Sequence, residues 1–328
     1  MTRTLFLHLG PAKTGTSAIQ YVLGRHDGSI VLYPKVGLWS DGSHHNLVLN
    51  FFGDDTRPET IREDAGRLLA RIGEESRRSD RDLVVSSEIL AGRKNLGEFI
   101  TALQSAIGGE LRVVLVAVVR EHLERAASLY NQRVKDAVFS ERRDPDEFLL
   151  EHPERLCYAN LLRRLKRTGF ELAVLNYHPA EDLVARCLAQ FGFSPGQIPQ
   201  PPRRNVSLSR KALIATLVAN RLSDAPEDRS RFDAGLRSIS GRFASSEIFF
   251  GSEAIARVRR IISADRKFLR KEFGLQLPRR RLQLVNSPFV LNGDEFADIA
   301  AAMRDLGDNV NDILEALRLY VRVPLPAT

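Results

Sequence analysis

Cysteine is scarce in this chain: Cys157 and Cys187 are the two in 328 residues. Neither falls in a C-x-x-C or zinc-type spacing, which argues against a disulfide framework and a cysteine-bound structural metal and points to a reducing, cytoplasmic compartment. Long apolar runs are missing as well. The longest, such as VVLVAVV at 113–119, fall far short of the roughly 20 residues needed to cross a bilayer. No integral membrane segment is therefore expected. The N-terminal MTRTLFLHLG carries one arginine and no small-residue cleavage pattern, so no signal peptide is expected either. Basic clusters at Arg77–Arg78, Arg142–Arg143, Arg163 to Arg167, Arg203–Arg204 and Arg279 to Arg281 lack interleaved aromatics or a nucleic-acid motif. They read as solvated faces, and no nucleic-acid partner is expected. No H-E-x-x-H cluster and no clear Walker B aspartate occur, so no metal is expected. Internal repeats and low-complexity tracts are absent.

What remains is an ordinary globular composition, 43% hydrophobic and 27% charged, long enough for one large domain or two modest ones. The net charge of +7 favours anionic ligands. Apolar runs bounded by turn signals at 4–10, 82–88, 111–120 and 170–177 read as buried parallel strands, with a weaker candidate at 29–34. Between them lie stripes of helical period: Ala18–Val22–Leu23, 61–72, Leu123 to Val134, Leu161 to Leu165, and 181–191. Strands alternating with helices imply an open parallel sheet covered on both faces, with ligands beyond the carboxyl ends of its strands. After the proline-rich connector SPGQIPQPPRR the pattern turns helical, over 208–222, 252–272 and 294–320. The expectation is an α/β core over 1–194 and a helical portion over 195–328 that packs on it and shapes an acceptor site.

The first strand runs into LFLHLGPAKTGTSAIQ. A Walker A loop, G-x-x-x-x-G-K-[ST], puts its lysine directly after the second glycine. Here Lys13 precedes Gly15, and Thr14, Thr16 and Ser17 supply hydroxyls. A strand, a glycine turn and a helix start still make an anion site, because the first turn of the helix offers unpaired N–H groups and the positive end of its dipole.

The K-T-G-T-S at 13–17 resembles the 5′-phosphosulfate-binding loop of sulfotransferases that use 3′-phosphoadenosine 5′-phosphosulfate (PAPS). That family also has a strand ending in arginine with a serine eight residues on, both for the 3′-phosphate. In this chain VVLVAVVR ends at Arg120 and Ser128 follows at that distance. Segments 4–23 and 82–135 are thus similar to the PAPS-binding half of a bacterial-type sulfotransferase, and weaker likenesses extend the resemblance over roughly 1–275. The resemblance implies a three-layer α/β/α fold of P-loop NTPase-like kind with a central parallel sheet. It also implies PAPS as donor, with 3′-phosphoadenosine 5′-phosphate (PAP) as product and Lys13, Thr14, Gly15, Thr16, Ser17, Arg120 and Ser128 as its binders.

Sulfuryl transfer asks the protein to position reactants and to stabilise charge on the leaving oxygen, a role for Lys13. A hydroxyl acceptor also needs a general base. Glu88, at the end of LVVSSE, is the first candidate, and His44 or His45 in SDGSHHNL the second. His8 reads as a core histidine inside the first strand. Arg204, after the connector, is a further candidate for the 3′-phosphate. The acceptor is read as a small molecule, a glycan or a lipid, with carbohydrate or glycolipid implied by the resemblance. Residues 279–328 are open to two roles, cover for the acceptor site or a homodimer contact. Two other readings stand beside the sulfotransferase: a P-loop kinase or nucleotide hydrolase with a degenerate loop, and a non-enzymatic basic protein that binds phosphorylated ligands.

Overall fold

Four of the apolar runs form strands in the computed structural model, which describes residues 2–53, 60–136, 139–177, 182–198, 208–222, 250–278, 290–303 and 310–321. They are β1 (Arg3–His8), β2 (Leu83–Ser86), β3 (Leu111–Val119) and β4 (Glu171–Asn176), all parallel in the order β2-β1-β3-β4. Leu5 stands opposite Leu83 on one side and Val113 on the other. The weaker candidate at 29–34 makes a single parallel bridge, Leu32 to Leu83, at the β2 edge. Tyr33 to Lys35 then turn away, with Pro34 unable to donate a further ladder bond.

Twelve α-helices lie among the described residues: α1 (Thr16–Arg25), α2 (His45–Phe52), α3 (Ala65–Arg77), α4 (Leu96–Ile107), α5 (His122–Lys135), α6 (Pro145–Glu151), α7 (Ala159–Lys166), α8 (Leu183–Gln190), α9 (Arg210–Leu222), α10 (Ser252–Phe273), α11 (Gly293–Met303) and α12 (Val310–Arg318). Local chemistry sets several of their starts. Asp64 accepts the Arg67 N–H at the head of α3, and Asp182 does the same for Ala185 at the head of α8. A capping box of Asp144 and Glu147, with Pro145 in the first turn, opens α6.

The chain divides into two compact units that are not consecutive in sequence. The first is 1–121, 158–204 and 265–278; the second is 122–157, 205–264 and 279–328. The boundary expected at 194/195 therefore does not follow these units. Residues 122–157 leave the α/β portion, and 265–278 return to it.

In the first unit the period-2 alternation of the strands sends residues to two faces. Leu5, Leu7, Leu115 and Ala117 pack with Leu47 of α2, Leu68 of α3, Phe99 of α4 and Leu162 of α7. Phe6, Val84, Val114 and Val116 pack with Ile19 and Leu23 of α1 and with Leu188 of α8. Helices thus cover both faces of the sheet, compatible with the three-layer arrangement. The second unit is helical where it is described. Its centre is α9, buried from Ala212 to Asn220, which α5, α11 and α12 surround. A helix apolar on nearly every side belongs inside such a group. None of the described helices is long and apolar enough to cross a membrane.

Candidate functional site

The carboxyl ends of β1, β2, β3 and β4 gather the chemistry of the first unit. After β1 the chain crosses Gly10 and turns into α1 at Gly15, whose φ is 90°. Lys13 holds a φ of 71°, a left-handed conformation that costs a non-glycine residue on the order of 1 kcal/mol. A Cβ on Gly10 would come within 2.9 Å of Thr14 Oγ1 and 3.0 Å of Thr16 Cγ2, and one on Gly15 within 2.6 Å of Leu183 Cδ2. Glycine at both positions is what lets the loop close this tightly.

The hydroxyls of the loop have separate tasks. Thr14 is buried and donates to the Pro11 carbonyl at 2.7 Å, which fixes the turn from inside. Thr16 donates to Glu88 Oε2 at 2.9 Å. Ser17 is exposed in the first turn of α1. No side-chain hydrogen bond caps that helix at Gly15 and no acid lies in its first turn, although the Ala18 N–H already donates to the Gly15 carbonyl at 3.2 Å. This donor set, a lysine with hydroxyls at an uncapped helix start, fits a phosphate or sulfate group.

Arg120 directly follows β3 and reaches the same loop, its Nη1 donating to the Lys13 carbonyl at 3.3 Å. Its guanidinium lies over the Tyr177 ring, 4.8 Å from the centroid. Its backbone is clamped by Tyr158: the Arg120 N–H donates to Tyr158 Oη at 3.0 Å, and the Tyr158 hydroxyl donates to the Arg120 carbonyl at 2.8 Å. Asp265 in turn accepts the backbone N–H groups of Tyr158 and Ala159. Glu121, next along the chain, pairs with Arg266 at 2.8 Å.

Glu88 opens a short 3-10 turn directly after Ser86 and Ser87 at the end of β2. Three histidines pin those serines. His8 Nδ1 lies 2.8 Å from Ser86 Oγ, and His45 Nδ1 lies 2.8 Å from Ser87 Oγ. His44 donates from Nε2 to the Pro34 carbonyl at 2.9 Å and accepts the Ser86 N–H on Nδ1 at 3.2 Å. Burial lowers the His8 imidazole to about 4 and the His44 imidazole to about 3, against an ordinary 6.5. Both are core groups, as expected for His8. With both ring nitrogens committed to backbone, His44 holds the loop and has no nitrogen left to take a proton from an acceptor.

Lys13, Thr14, Gly15, Thr16, Ser17, Glu88, Arg120 and His45 all belong to the first unit. Ser128 lies half-buried on α5 in the second, and Arg204 is outside the described residues. Sequence reasoning missed Tyr177, Tyr158 and Asp265. Tyr177 was within reach, because it directly follows a strand, as Arg120 does. Asp265 sits 107 residues from the Tyr158 N–H it accepts, with no local signal. Among the described residues no group of three or more His, Cys, Asp or Glu side chains is placed to hold a metal ion. No family model matches the chain, and no curated protein matches it.

Proposed function

We propose that the protein is a PAPS-dependent sulfotransferase that moves a sulfuryl group to an acceptor hydroxyl and releases PAP. The observation that carries this reading is the bond from Arg120 to the Lys13 carbonyl. It joins two motifs 107 residues apart, in a loop that also touches Glu88 through Thr16. A P-loop NTPase-like ancestry of the core fits the same arrangement.

PAPS would supply the activated sulfur–oxygen bond. The start of α1, with Ser17, would hold the 5′-phosphate, and the planar fork of Arg120, stiffened by Tyr177, the 3′-phosphate. The resemblance adds Ser128 to that second set. Glu88 acts as general base: its Oε2 is occupied by Thr16, and Oε1 has no partner among the described residues. As the acceptor oxygen bonds to sulfur its proton passes to Glu88. The electron pair of the breaking sulfur–oxygen bond leaves on the phosphate, where the Lys13 ammonium meets it. The acceptor is a hydroxyl compound, with a carbohydrate or glycolipid favoured by the resemblance alone.

Calorimetric titration tests the reading. PAP should bind without Mg2+, and Lys13→Ala and Arg120→Ala should each weaken it by at least about tenfold. Preference for ATP with Mg2+ over PAP would overturn it in favour of a kinase or nucleotide hydrolase. Labelled PAPS offered with desulfated glycans, lipids and phenols identifies the acceptor.

A further inference from the structure

Helix α7 and the last two turns of α10 lie together in the first unit and carry cations that the site at the strand ends does not use. Lys166 of α7 pairs with Glu272 of α10 at 2.9 Å. Arg163 lies over the Phe268 ring, 4.6 Å from its centroid, and Lys166 over the Phe273 ring at 5.1 Å. These contacts set the two helices side by side. Arg163, Lys166, Arg167, Lys267 and Lys271 are all exposed, and Lys267 and Lys271 stand one turn apart on the same side of α10. Among the described residues Glu272 is the one acid tied to them. The Lys166 bond holds its carboxyl below the usual carboxylate range, and Lys271 and Arg163 add to the effect. Arg164, half-buried on α7, has its guanidinium lowered by burial and then by the like charge of Arg167. Five cations against one carboxylate leave the face strongly positive. A cation in the last turn of each helix answers the helix dipole. Lys267, a turn earlier on α10, and Arg167, beyond the end of α7, lie outside that explanation.

How the charge is spread selects the partner. A point anion such as phosphate asks for donors that converge, and these five are laid out along a turn of each of two neighbouring helices. A nucleic-acid strand asks for aromatic faces on which its bases stack, and the Phe268 and Phe273 rings already lie under Arg163 and Lys166. A smeared negative surface meets all five cations at once and needs neither a pocket nor an exposed ring. We infer that this face docks on a membrane surface of anionic phospholipid. The docking is peripheral and electrostatic, so it requires no spanning helix. The inference uses only the first unit and stands whether or not the protein transfers sulfuryl groups.

The test is flotation of the full chain with lipid vesicles. At about 0.1 M salt, phosphatidylcholine vesicles with about 30 mol% phosphatidylserine should capture the protein at least about tenfold better than phosphatidylcholine alone. Raising the salt to about 0.5 M should release it. Lys267→Gln combined with Lys271→Gln should lower the partition coefficient by at least about tenfold, with the thermal melt unchanged. Arg77→Gln combined with Arg78→Gln removes the same charge from the exposed end of α3. That pair should change the partition by less than about threefold. Equal capture by the two kinds of vesicle, equal losses in the two double variants, or no capture at all would each overturn the inference. So would a single-stranded oligonucleotide that binds the chain and is lost in the Lys267→Gln, Lys271→Gln variant, while phosphatidylserine vesicles capture nothing.

Discussion

Lys13 carries two separable properties, a charge and a left-handed backbone with φ of 71°. Ala at this position removes the charge and keeps the strain, whereas Gly removes both. Lys13→Gly and Lys13→Ala should therefore lose PAP affinity alike. In denaturant melts Lys13→Gly should be the more stable of the two, by about 1 kcal/mol. Equal melts would show that the loop relaxes around residue 13. Glu88 offers a second separation. Its carboxylate accepts from Thr16, and glutamine retains an acceptor oxygen in the same volume. Turnover of Glu88→Gln with a hydroxyl acceptor should fall by about 10²–10⁴, with PAP affinity nearly unchanged. Full turnover in that variant would pass the role of base to His45, whose Nδ1 is held by Ser87.

At the scale of elements, the end of β2 is held by uncharged imidazoles. His8 and His44 are fully buried with values near 4 and 3, because burial penalises their charged forms. Unfolded, both would titrate near 6.5, so unfolding takes up protons as the pH drops below that value. The unfolded state binds more protons in this window, and stability therefore rises with pH from about 4 to 6.5 and is lost as pH falls through it. With both histidines contributing, the slope should approach about 2.7 kcal/mol per pH unit near pH 5, read from urea melts. Replacing His8 by Gln should remove about half of that slope. An unchanged slope in the variant would place the titration elsewhere.

For the molecule as a whole, the first unit has an apolar core on each face of its sheet, and the second has one around α9 and another between α5, α6 and α10. Leu213 is completely buried in the core around α9. Its replacement by Ala should cost about 2–5 kcal/mol through lost burial and the cavity left behind. Hydrogen exchange locates that loss. Amides of α9 and α12 should lose protection by a larger factor than those of β1 and β3 if the units open separately. Equal losses would mean that the chain unfolds as one cooperative body.

Several features were legible in the residues because their cause is local. The apolar runs of β1 and β3 are buried from Thr4 and from Val113 onward, and a strand buried on both faces leaves just such a mark. Gly10, Lys13 and Gly15 mark the loop between β1 and α1 because a strand must turn into a helix within a few residues there. The helical stripes of α1, α5 and α9 announce themselves by period. The division into units was not legible, because 122–157 and 265–278 are assigned by packing partners far along the chain, and no turn signal separates α10 at the point where the units exchange it. Nor could spacing reveal that Tyr158 and Asp265 clamp Arg120, or that His44 spends both ring nitrogens on backbone. Sequence by itself determined four of the strands and the glycine turn that leads into the first helix, since these follow from periodicity and backbone sterics. Tertiary structure alone decided which side chains meet at the strand ends, because those contacts join residues tens to hundreds of positions apart and depend on how the sheet orders its strands.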